Sequence, residues 1–540
     1  MNIYRLGLLA TIFVLFSLPI WSQEGGELSG SFDSYGNFFI TDTAIGAANT
    51  PQYDHQLFGA DAWLTLNYQN HGFDIGVRFD LFNNSNLLNR TGSYTAQGIG
   101  RWYLKKKVNN LHLAAGYLYD QIGSGIIFRA YEERALAIDN ALFGVSAAYD
   151  ITDDLKIKVF TGKQKKQFDT YEPIIKGAYL TGFWSNLNGT FSVAPGIGVV
   201  NRTLDDGTMQ RLVSSLSVYT PTDSIGACYN VYAASANNTL TAGPLTWYAE
   251  YALKTAEAIY APREKKTNWN GTTSKGKFVN RPGSVAYTSI SLSKRGMGVN
   301  LEYKRTENFT FRADPFATLN AGLMNFLPPM TRTNTYRLPA RYAAATQELG
   351  EQAAQIDLSY SPSKHLSFMV NASNITDLDG LLLNREILAE ATLKQKKYQL
   401  VGGIQYMNYN QEVYQEKPGV DMVKTITPYL DFLYKFTKTA SIRTELQYMD
   451  THQDYGSWAF GLVELGFAPH WVITASDMYN VRPKKTEALH YPTVSVAYSR
   501  KANRFSFAYV KQVEGIVCSG GICRLEPAFN GYRLTVASSY

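Results

Sequence analysis

Apolar and polar residues alternate with a period of two along most of the chain. In the run 73–81, one set of alternate positions holds Phe, Ile, Val, Phe and Leu, and the other holds Asp, Gly, Arg and Asp. Successive side chains of a β-strand point to opposite sides of its sheet, so this pattern predicts strands with one apolar and one polar face. The pattern recurs near 155–159, 245–254, 299–304 and 442–448.

The number and spacing of these runs predict an all-β fold. We count about 24 to 26 strands, and membrane barrels usually have an even number. The connections between runs are short on one side and long on the other, which is typical of an antiparallel up-and-down transmembrane β-barrel. We expect short periplasmic turns, and long extracellular loops at about 262–282, 315–352, 410–422 and 513–527.

Both ends of the chain favour an outer-membrane barrel. Arg5 precedes the apolar run 6–20, and Ser22 precedes Gln23, which predicts a secretory signal peptide over residues 1–22. This run is shorter than the roughly 20 residues that a spanning helix needs, which disfavours a membrane anchor. The last residues, 531–540, alternate and end in Tyr540, as in the closing strand of such barrels. We therefore expect residues 23–540 to form one barrel domain in the outer membrane of a Gram-negative bacterium.

Composition adds little beyond this picture. Aromatic residues make up 14% of the chain, including 37 Tyr, and tyrosine favours the boundary between lipid and headgroup. The formal net charge is only +6, so nothing indicates nucleic-acid binding. The seven histidines are scattered without metal-ligand or catalytic spacing, and Asp450, His452 and Asp454 in a short outer turn are the only local hint of chemistry. We predict no catalytic residue, metal or cofactor.

Charged residues on the polar faces are candidates for the lumen or its mouth. If the polar face of each strand lines a wet lumen, these side chains lie on the lumen side. Arg129, Glu132, Glu133 and Arg134 are close in sequence and are expected to form an ion-pair network at the mouth, either as a structural cluster or as a gating or recognition site. The predicted lumen charges are Arg78, Lys156, Lys158, Glu250, Lys254, Arg443 and Glu445.

The expected loop 315–352 is too apolar for a segment that is simply exposed to water. Two interpretations remain open: it folds into the lumen as a constriction, or it is a docking surface for another envelope protein. The candidate occluding or docking residues are Phe326, Leu327, Pro328, Pro329, Met330 and Tyr336.

Two cysteines lie close together in the last expected outer loop. Cys518 and Cys523 are separated by Ser-Gly-Gly-Ile, a spacer that allows a small ring. An extracytoplasmic compartment is oxidising, so we predict a disulfide. Zinc is disfavoured, because two ligands are too few and no histidine is near in sequence.

Three stretches carry a resemblance to a known family. Residues 119–144 read YDQIGSGIIFRAYEERALAIDNALFG, and with 324–336 and 518–540 they resemble a family of Bacteroidota outer-membrane β-barrels of uncharacterised function. The resemblance spans most of the chain and implies location and architecture. It implies no catalytic residues.

Two functional hypotheses follow, and a surface enzyme is nearly excluded. We favour a non-enzymatic subunit of a larger outer-membrane protein machine for barrel assembly or secretion, because of the apolar loop and the resemblance to a family that is not a porin family. Other envelope proteins would then be its partners, together with outer-membrane lipid. The alternative is a porin-like channel for small hydrophilic solutes, which charges of both signs along the lumen would suit.

Overall fold

The computed structural model describes residues 26–87, 92–484, 487–519 and 522–540, without the side chains of 135, 516–519 and 522–523. Within that part of the chain, 24 antiparallel strands form the barrel, as the sequence pattern predicts. The strands are β1 Glu27–Phe39, β2 Phe58–Asn70, β3 Phe73–Ser85, β4 Tyr94–Val108, β5 Leu111–Leu118, β6 Leu142–Thr152, β7 Leu155–Lys166, β8 Asp169–Gly182, β9 Phe191–Thr203, β10 Asn230–Ala242, β11 Leu245–Thr267, β12 Thr273–Lys294, β13 Met297–Glu307, β14 Gly350–Ser363, β15 Leu366–Thr376, β16 Leu382–Lys394, β17 Tyr398–Tyr409, β18 Val423–Lys435, β19 Ala440–Met449, β20 Gly456–Phe467, β21 Trp471–Pro483, β22 His490–Arg500, β23 Asn503–Gln512 and β24 Phe529–Ser539.

The first and last strands close the barrel. β1 pairs with β2 on one side and with β24 on the other, so that Phe32 lies opposite both Leu64 and Ser538. Each other strand pairs with its neighbours in sequence, and the two-residue strand Trp184–Ser185 continues β8 along β9. Closure satisfies the backbone of every strand without leaving an open edge, which a bilayer would penalise.

In the described part of the chain, the long connections lie at one end of the barrel. β2 and β3 are joined by 71–72, β10 and β11 by 243–244, and β22 and β23 by 501–502, on the side where both ends of the barrel chain lie. The opposite side carries the long connections 40–57, 119–141, 204–229, 308–349, 410–422 and 513–528. Following the usual arrangement of such barrels, we call the long side the outer side.

The prediction of a long loop over 262–282 is wrong. β11 continues to Thr267 and β12 begins at Thr273, so the strands extend outward as a paired hairpin with a five-residue connection, 268–272. Pro262 lies in the register shift between Ala261 and Lys265, and Pro282 lies in the shift between Lys254 and Glu257 on the partner strand. Proline lacks an N–H group, and a bulge does not require one. The two prolines therefore occupy irregular positions of the hairpin, and the strands continue beyond them.

The remaining described elements are short. Helix α1, Asp206–Ser217, begins at Asp205, whose carboxylate accepts a hydrogen bond from the Thr208 backbone N–H. Burial would raise the pKa of Asp205, but the hydrogen bonds from Thr208 lower it below its ordinary value. α1 packs Met209 and Leu212 against Phe278 of the extended hairpin. The others are α2 Gln411–Tyr414, the turns Thr43–Ile45, Gln52–Gln56 and Arg134–Leu136, and the short strands Asp120–Gln121, Arg129–Ala130, Glu132–Glu133, Ile138–Asp139, Gly515–Ser519 and Ile522–Glu526. None of the described helices has the length and apolar character needed to cross a membrane.

The two faces of the barrel wall differ as the alternation predicts. The outward positions carry large exposed apolar side chains, for example Phe79, Leu253 and Leu534. The inward positions of the same strands carry Arg78, Lys254 and Arg533. An apolar outer wall over a polar inner wall is the arrangement of a barrel of outer-membrane type.

A lysine at position 534 tests this assignment. Leu534 lies near the middle of β24 on the outer face, so Leu534→Lys should lower the free energy of unfolding in lipid vesicles by about 2 to 4 kcal/mol. The matched control is Thr535→Lys on the inner face, which should cost much less. Urea titration followed by tryptophan fluorescence measures both. A larger cost for Thr535→Lys would reverse the assignment of the faces.

Candidate functional site: a lumen filled by two inner loops

Two of the long outer connections turn back into the barrel. We call residues 119–141 inner loop 1 and residues 308–349 inner loop 2. Inner loop 1 forms two small hairpins, in which Asp120 pairs with Ala130 and Glu132 pairs with Asp139. Gly123 and Gly125 adopt positive φ angles of 56° and 98° at the turn of the first hairpin. Side chains rarely adopt these angles, so glycine permits the tight reversal.

Apolar side chains of both inner loops form a core inside the lumen. Ile126, Ile127 and Phe128 of inner loop 1 are buried with Phe311 and Met324 of inner loop 2. The wall contributes to this core from inward positions, where apolar residues replace the expected polar ones: Leu142, Phe160, Ile175, Val200, Val231, Ala233, Ala252 and Val285. The wall from β6 to β12 is therefore built to hold the loops.

Backbone hydrogen bonds join the two inner loops. The Arg129 N–H donates to the Met324 carbonyl at 2.8 Å, and the Phe326 N–H donates to the Gly125 carbonyl at 2.9 Å. The Arg129 guanidinium lies 4.4 Å from the ring centre of Tyr131 and 4.2 Å from that of Phe326. Burial raises the pKa of Tyr131 to about 12. Arg129 thus links the loops through aromatic rings.

A buried ion-pair cluster fixes inner loop 1 to the wall; we call it the Arg78 cluster. Arg78 of β3 is only 3% exposed. Its Nε lies 2.6 Å from Asp80 Oδ1, its Nη1 lies 2.6 Å from Glu132 Oε1, and its Nη2 lies 2.9 Å from Asp139 Oδ2. One wall arginine therefore holds two carboxylates of inner loop 1, and removal of the arginine would leave buried charge uncompensated.

Further charges extend the Arg78 cluster in both directions. Arg134 pairs with Asp33 of β1 at 2.8 Å and with Glu132 at 3.1 Å. Lys165 of β7 pairs with Asp139. Burial works against ionisation of Asp139, but the charges of Lys165 and Arg78 outweigh it and lower the pKa of this carboxyl below its ordinary value. The stabilisation of the fold by the ion pairs of Asp139 is therefore present above the ordinary pKa of an aspartate, roughly 3.9. It is lost as the pH falls through the lowered pKa of Asp139.

Inner loop 2 begins against a second cluster of buried charges. Lys254 of β11 contacts Glu257 and donates to the backbone carbonyl of Thr310. Arg202 of β9 pairs with Glu257 at 2.9 Å and donates to the carbonyl of Arg312 at 2.8 Å. Both cations thus satisfy carbonyl groups of a loop that lacks regular secondary structure, which lowers the cost of burying that backbone.

The apolar run of inner loop 2 lies inside the barrel. Met324, Leu327, Pro328 and Met330 are buried, and Phe326 and Pro329 are partly buried. Lys304 of β13 donates to the Pro328 carbonyl and pairs with Glu351 at 2.7 Å. The run expected either to constrict the lumen or to dock a partner is therefore enclosed by the wall.

The second half of inner loop 2 crosses toward β17–β22. The Tyr336 ring lies 4.3 Å from that of Tyr429, and the Leu338 N–H donates to Gln447 Oε1 at 2.7 Å. Tyr342 donates to Asp454 Oδ2 at 3.0 Å, and burial is the main cause that raises its pKa. Leu338 and Tyr342 share a buried cluster with Met407, Tyr409, Met449 and Trp458 of the wall. The two inner loops thus pack against inward residues on both sides of the lumen.

The chain matches the model of DUF6029, a family of unknown function, over residues 3–540. It belongs to this family. No curated protein sequence is significantly similar to it. The family assignment therefore carries no activity or ligand to this chain.

Solved structures resemble the chain at low sequence identity. The translocation pore of the P pilus usher PapC aligns with 95% of this chain and 99% of its own, at 10% identity and a TM-score of 0.44. A chain of the E. coli P pilus tip assembly intermediate of PapC, PapD, PapK and PapG aligns with 97% of this chain and 62% of its own, at 10% identity and a TM-score of 0.48. The siderophore receptor PirA from Pseudomonas aeruginosa aligns with 96% of this chain and 81% of its own, at 8% identity and a TM-score of 0.40. At these identities and TM-scores the likeness carries no argument about the function of this chain.

The predicted charges divide into two groups. Arg78, Glu250 and Lys254 contact the inner loops, and Glu250 Oε2 accepts hydrogen bonds from the backbone and hydroxyl of Ser124 at 2.9 and 2.6 Å. Lys158 pairs with Asp120 of inner loop 1 at 2.7 Å. The others pair within the wall: Lys156 with Asp150 at 3.0 Å, and Arg443 with Asp431 at 2.9 Å and with Glu445 at 2.5 Å.

Two of the four charges predicted for the mouth, Glu132 and Arg134, belong to the Arg78 cluster inside the barrel. Arg129 lies against aromatic rings, and Glu133 also has an interaction. The partners that sequence reasoning missed are Asp33, Asp80, Asp139, Lys165, Arg202, Glu257 and Lys304. Those that belong to strands of the wall occupy inward positions of the alternating pattern, and this is the sequence feature that could have identified them.

The remaining candidates show no common site. Cys518 lies opposite Cys523 in the hairpin of the last outer connection, but their side chains are outside the described residues, so the disulfide stays a prediction. Asp450 accepts a hydrogen bond from Ser457, Asp454 accepts one from Tyr342, and His452 is exposed. Among the described residues, no three His, Cys, Asp or Glu side chains group closely enough to hold a metal ion.

Removal of the Arg78 charge should release inner loop 1. Arg78→Gln leaves Asp80, Glu132 and Asp139 without their shared cation, and loss of one buried partner typically costs about 3 to 5 kcal/mol. Hydrogen–deuterium exchange should therefore accelerate over 119–141. The control is Lys156→Gln. Lys156 is 44% exposed in its ion pair with Asp150. An exposed ion pair contributes at most about 1 kcal/mol to stability. Unchanged exchange in Arg78→Gln would mean that the apolar core alone holds the loop.

Proposed function

We propose that the protein is a non-enzymatic integral outer-membrane barrel that acts as a subunit of a larger outer-membrane protein machine, in barrel assembly or secretion. The observation that carries this proposal is that both inner loops are packed inside the lumen against the barrel wall. Their apolar cores and buried ion pairs leave the barrel better suited to a structural role than to diffusion of solutes. Phe326, Leu327, Pro328, Pro329, Met330 and Tyr336 then serve as occluding residues.

The location and origin of the protein form part of the same proposal. We place residues 23–540 as one barrel domain in the outer membrane of a Gram-negative bacterium, of the Bacteroidota, after removal of a signal peptide at 1–22. The apolar outer wall and the long outer connections support an outer-membrane location.

A contact surface for another envelope protein lies on the outer side; we call it the outer patch. It comprises Val213 of α1, Val218 after the helix and Trp269 at the tip of the extended hairpin, which are 52%, 58% and 72% exposed. The Trp269 indole N–H donates to the Val218 carbonyl at 3.0 Å, which joins the hairpin tip to the helix. Exposed apolar side chains grouped beyond the lipid region favour protein contact.

The outer patch gives a direct test of the machine-subunit proposal. A tagged protein purified from its own outer membranes in mild detergent should retain a stoichiometric envelope protein, identified by mass spectrometry. Val213→Glu with Trp269→Ala should lose that protein. The control is Leu187→Glu, because Leu187 is 106% exposed in a turn at the opposite end of the barrel. Purification as a lone barrel from native membranes would contradict the proposal.

The alternative is a porin-like channel for small hydrophilic solutes. Partly exposed charges of both signs on the inner wall favour it, such as Arg443, which is 31% exposed beside Asp431. Such a lining suits weakly selective diffusion.

Single-channel recording separates the two functions. The machine-subunit proposal predicts no steady conductance from the wild-type barrel in planar bilayers. It also predicts that replacing 324–336 with a Gly-Ser linker creates a conductance, because this removes the buried segment of inner loop 2 between β13 and β14. Folding of the variant is checked by its heat-dependent shift in gel mobility. Steady, salt-dependent conductance of the wild type would favour the channel.

A further inference from the structure

The outer wall of the barrel carries a shallow groove across β12–β16, which we call the wall groove. Its volume is about 540 Å³. Ala354 of β14 and Ala372 of β15 form its floor, because their small side chains leave space between larger neighbours. Those neighbours are Ile290, Leu301, Ile356 and Ile387. All six alternate with inward residues along their strands, so the wall groove faces the lipid.

An arginine lies at the edge of the wall groove. Arg385 is the fourth residue of β16, counted from the outer side, and it is exposed on the lipid-facing side of the strand. Its Nε donates to Asn374 Oδ1 at 2.9 Å, which fixes one edge of the guanidinium. Within the described part of the chain, neither Nη of Arg385 has a hydrogen-bond or ion-pair partner. A cation at this height lies near the interface, where its cost is small and lipid phosphates are within reach.

The apolar floor and the arginine specify complementary parts of one ligand. A depression lined by alanine and branched aliphatic side chains accepts an acyl chain, which gains dispersion contacts that a flat wall does not offer. A guanidinium with free donors matches the geometry of a phosphate. The volume lies in the range of small-molecule sites.

We propose that the wall groove binds a single anionic lipid that carries a phosphate, with an acyl chain over Ala354 and Ala372 and the phosphate on Arg385. This inference goes beyond the proposed function and does not depend on it. It requires only that the barrel spans a bilayer. The lipid would be retained during purification while the rest of the annular lipid exchanges.

The test measures lipid retained by the full chain. The protein is reconstituted in nanodiscs of equal parts phosphatidylglycerol and phosphatidylcholine, and released lipid adducts are weighed by native mass spectrometry. The wild type should retain phosphatidylglycerol in preference to phosphatidylcholine. Arg385→Gln should reduce this retention about tenfold, as expected for loss of a charge-assisted hydrogen bond.

Arg305 provides a matched control. It also lies on the outer face, at the outer end of β13, but it pairs with Glu307 at 2.9 Å. Arg305→Gln should therefore leave lipid retention unchanged. Ala372→Leu fills the floor and keeps Arg385, so it should reduce retention through the acyl chain alone.

Two results would overturn the proposal. The first is equal retention in the wild type, Arg385→Gln and Ala372→Leu, which would show that lipid binds elsewhere. The second is a protein, or a second copy of this chain, that purifies with the wild type in place of lipid and is lost in Ala372→Leu. Folding of each variant is checked by its heat-dependent gel mobility.

Discussion

A closed barrel of 24 strands encloses more space than its own inward side chains can fill, and the rest of the structure depends on that constraint. The two inner loops occupy the space. Their segments lack long helices or strands, so their backbone polar groups need partners inside the barrel. Wall cations provide these partners: Lys254, Arg202 and Lys304 each donate to a carbonyl of inner loop 2.

The inner loops are held by both apolar and ionic contacts, and the two kinds of contact contribute differently to stability and to position. Apolar clusters around Phe128 and Trp458 remove surface from water but do little to fix orientation. Buried pairs cost desolvation energy, yet they demand particular partners and therefore specify position. The charge of Arg78 is compensated by the loop only when Glu132 and Asp139 lie within ion-pair distance of it. The combination favours one arrangement of the loops.

The two sides of the wall consequently have different roles. The inner face of β6–β12 is locally apolar because it contacts protein, and elsewhere it carries charge. The outer face is apolar because it contacts lipid, and Arg385 departs from this rule near the outer interface. The outer patch near Trp269 stands beyond the lipid region, on a hairpin that rises above its neighbours. Contact with the inner loops and contact with lipid are thereby assigned to opposite faces of one wall.

The sequence by itself determined the strands, their number to within 24 to 26 and the inward direction of Arg78, Glu250 and Lys254, because a period of two is a local property of the chain. It misjudged 262–282, since proline ends a strand in general but not at a bulge. Only the tertiary structure decided that 119–141 and 308–349 enter the lumen. Asp33 and Arg134 are 101 residues apart, and no local pattern joins them. Their meeting depends on closure of the barrel, which is a property of the whole chain.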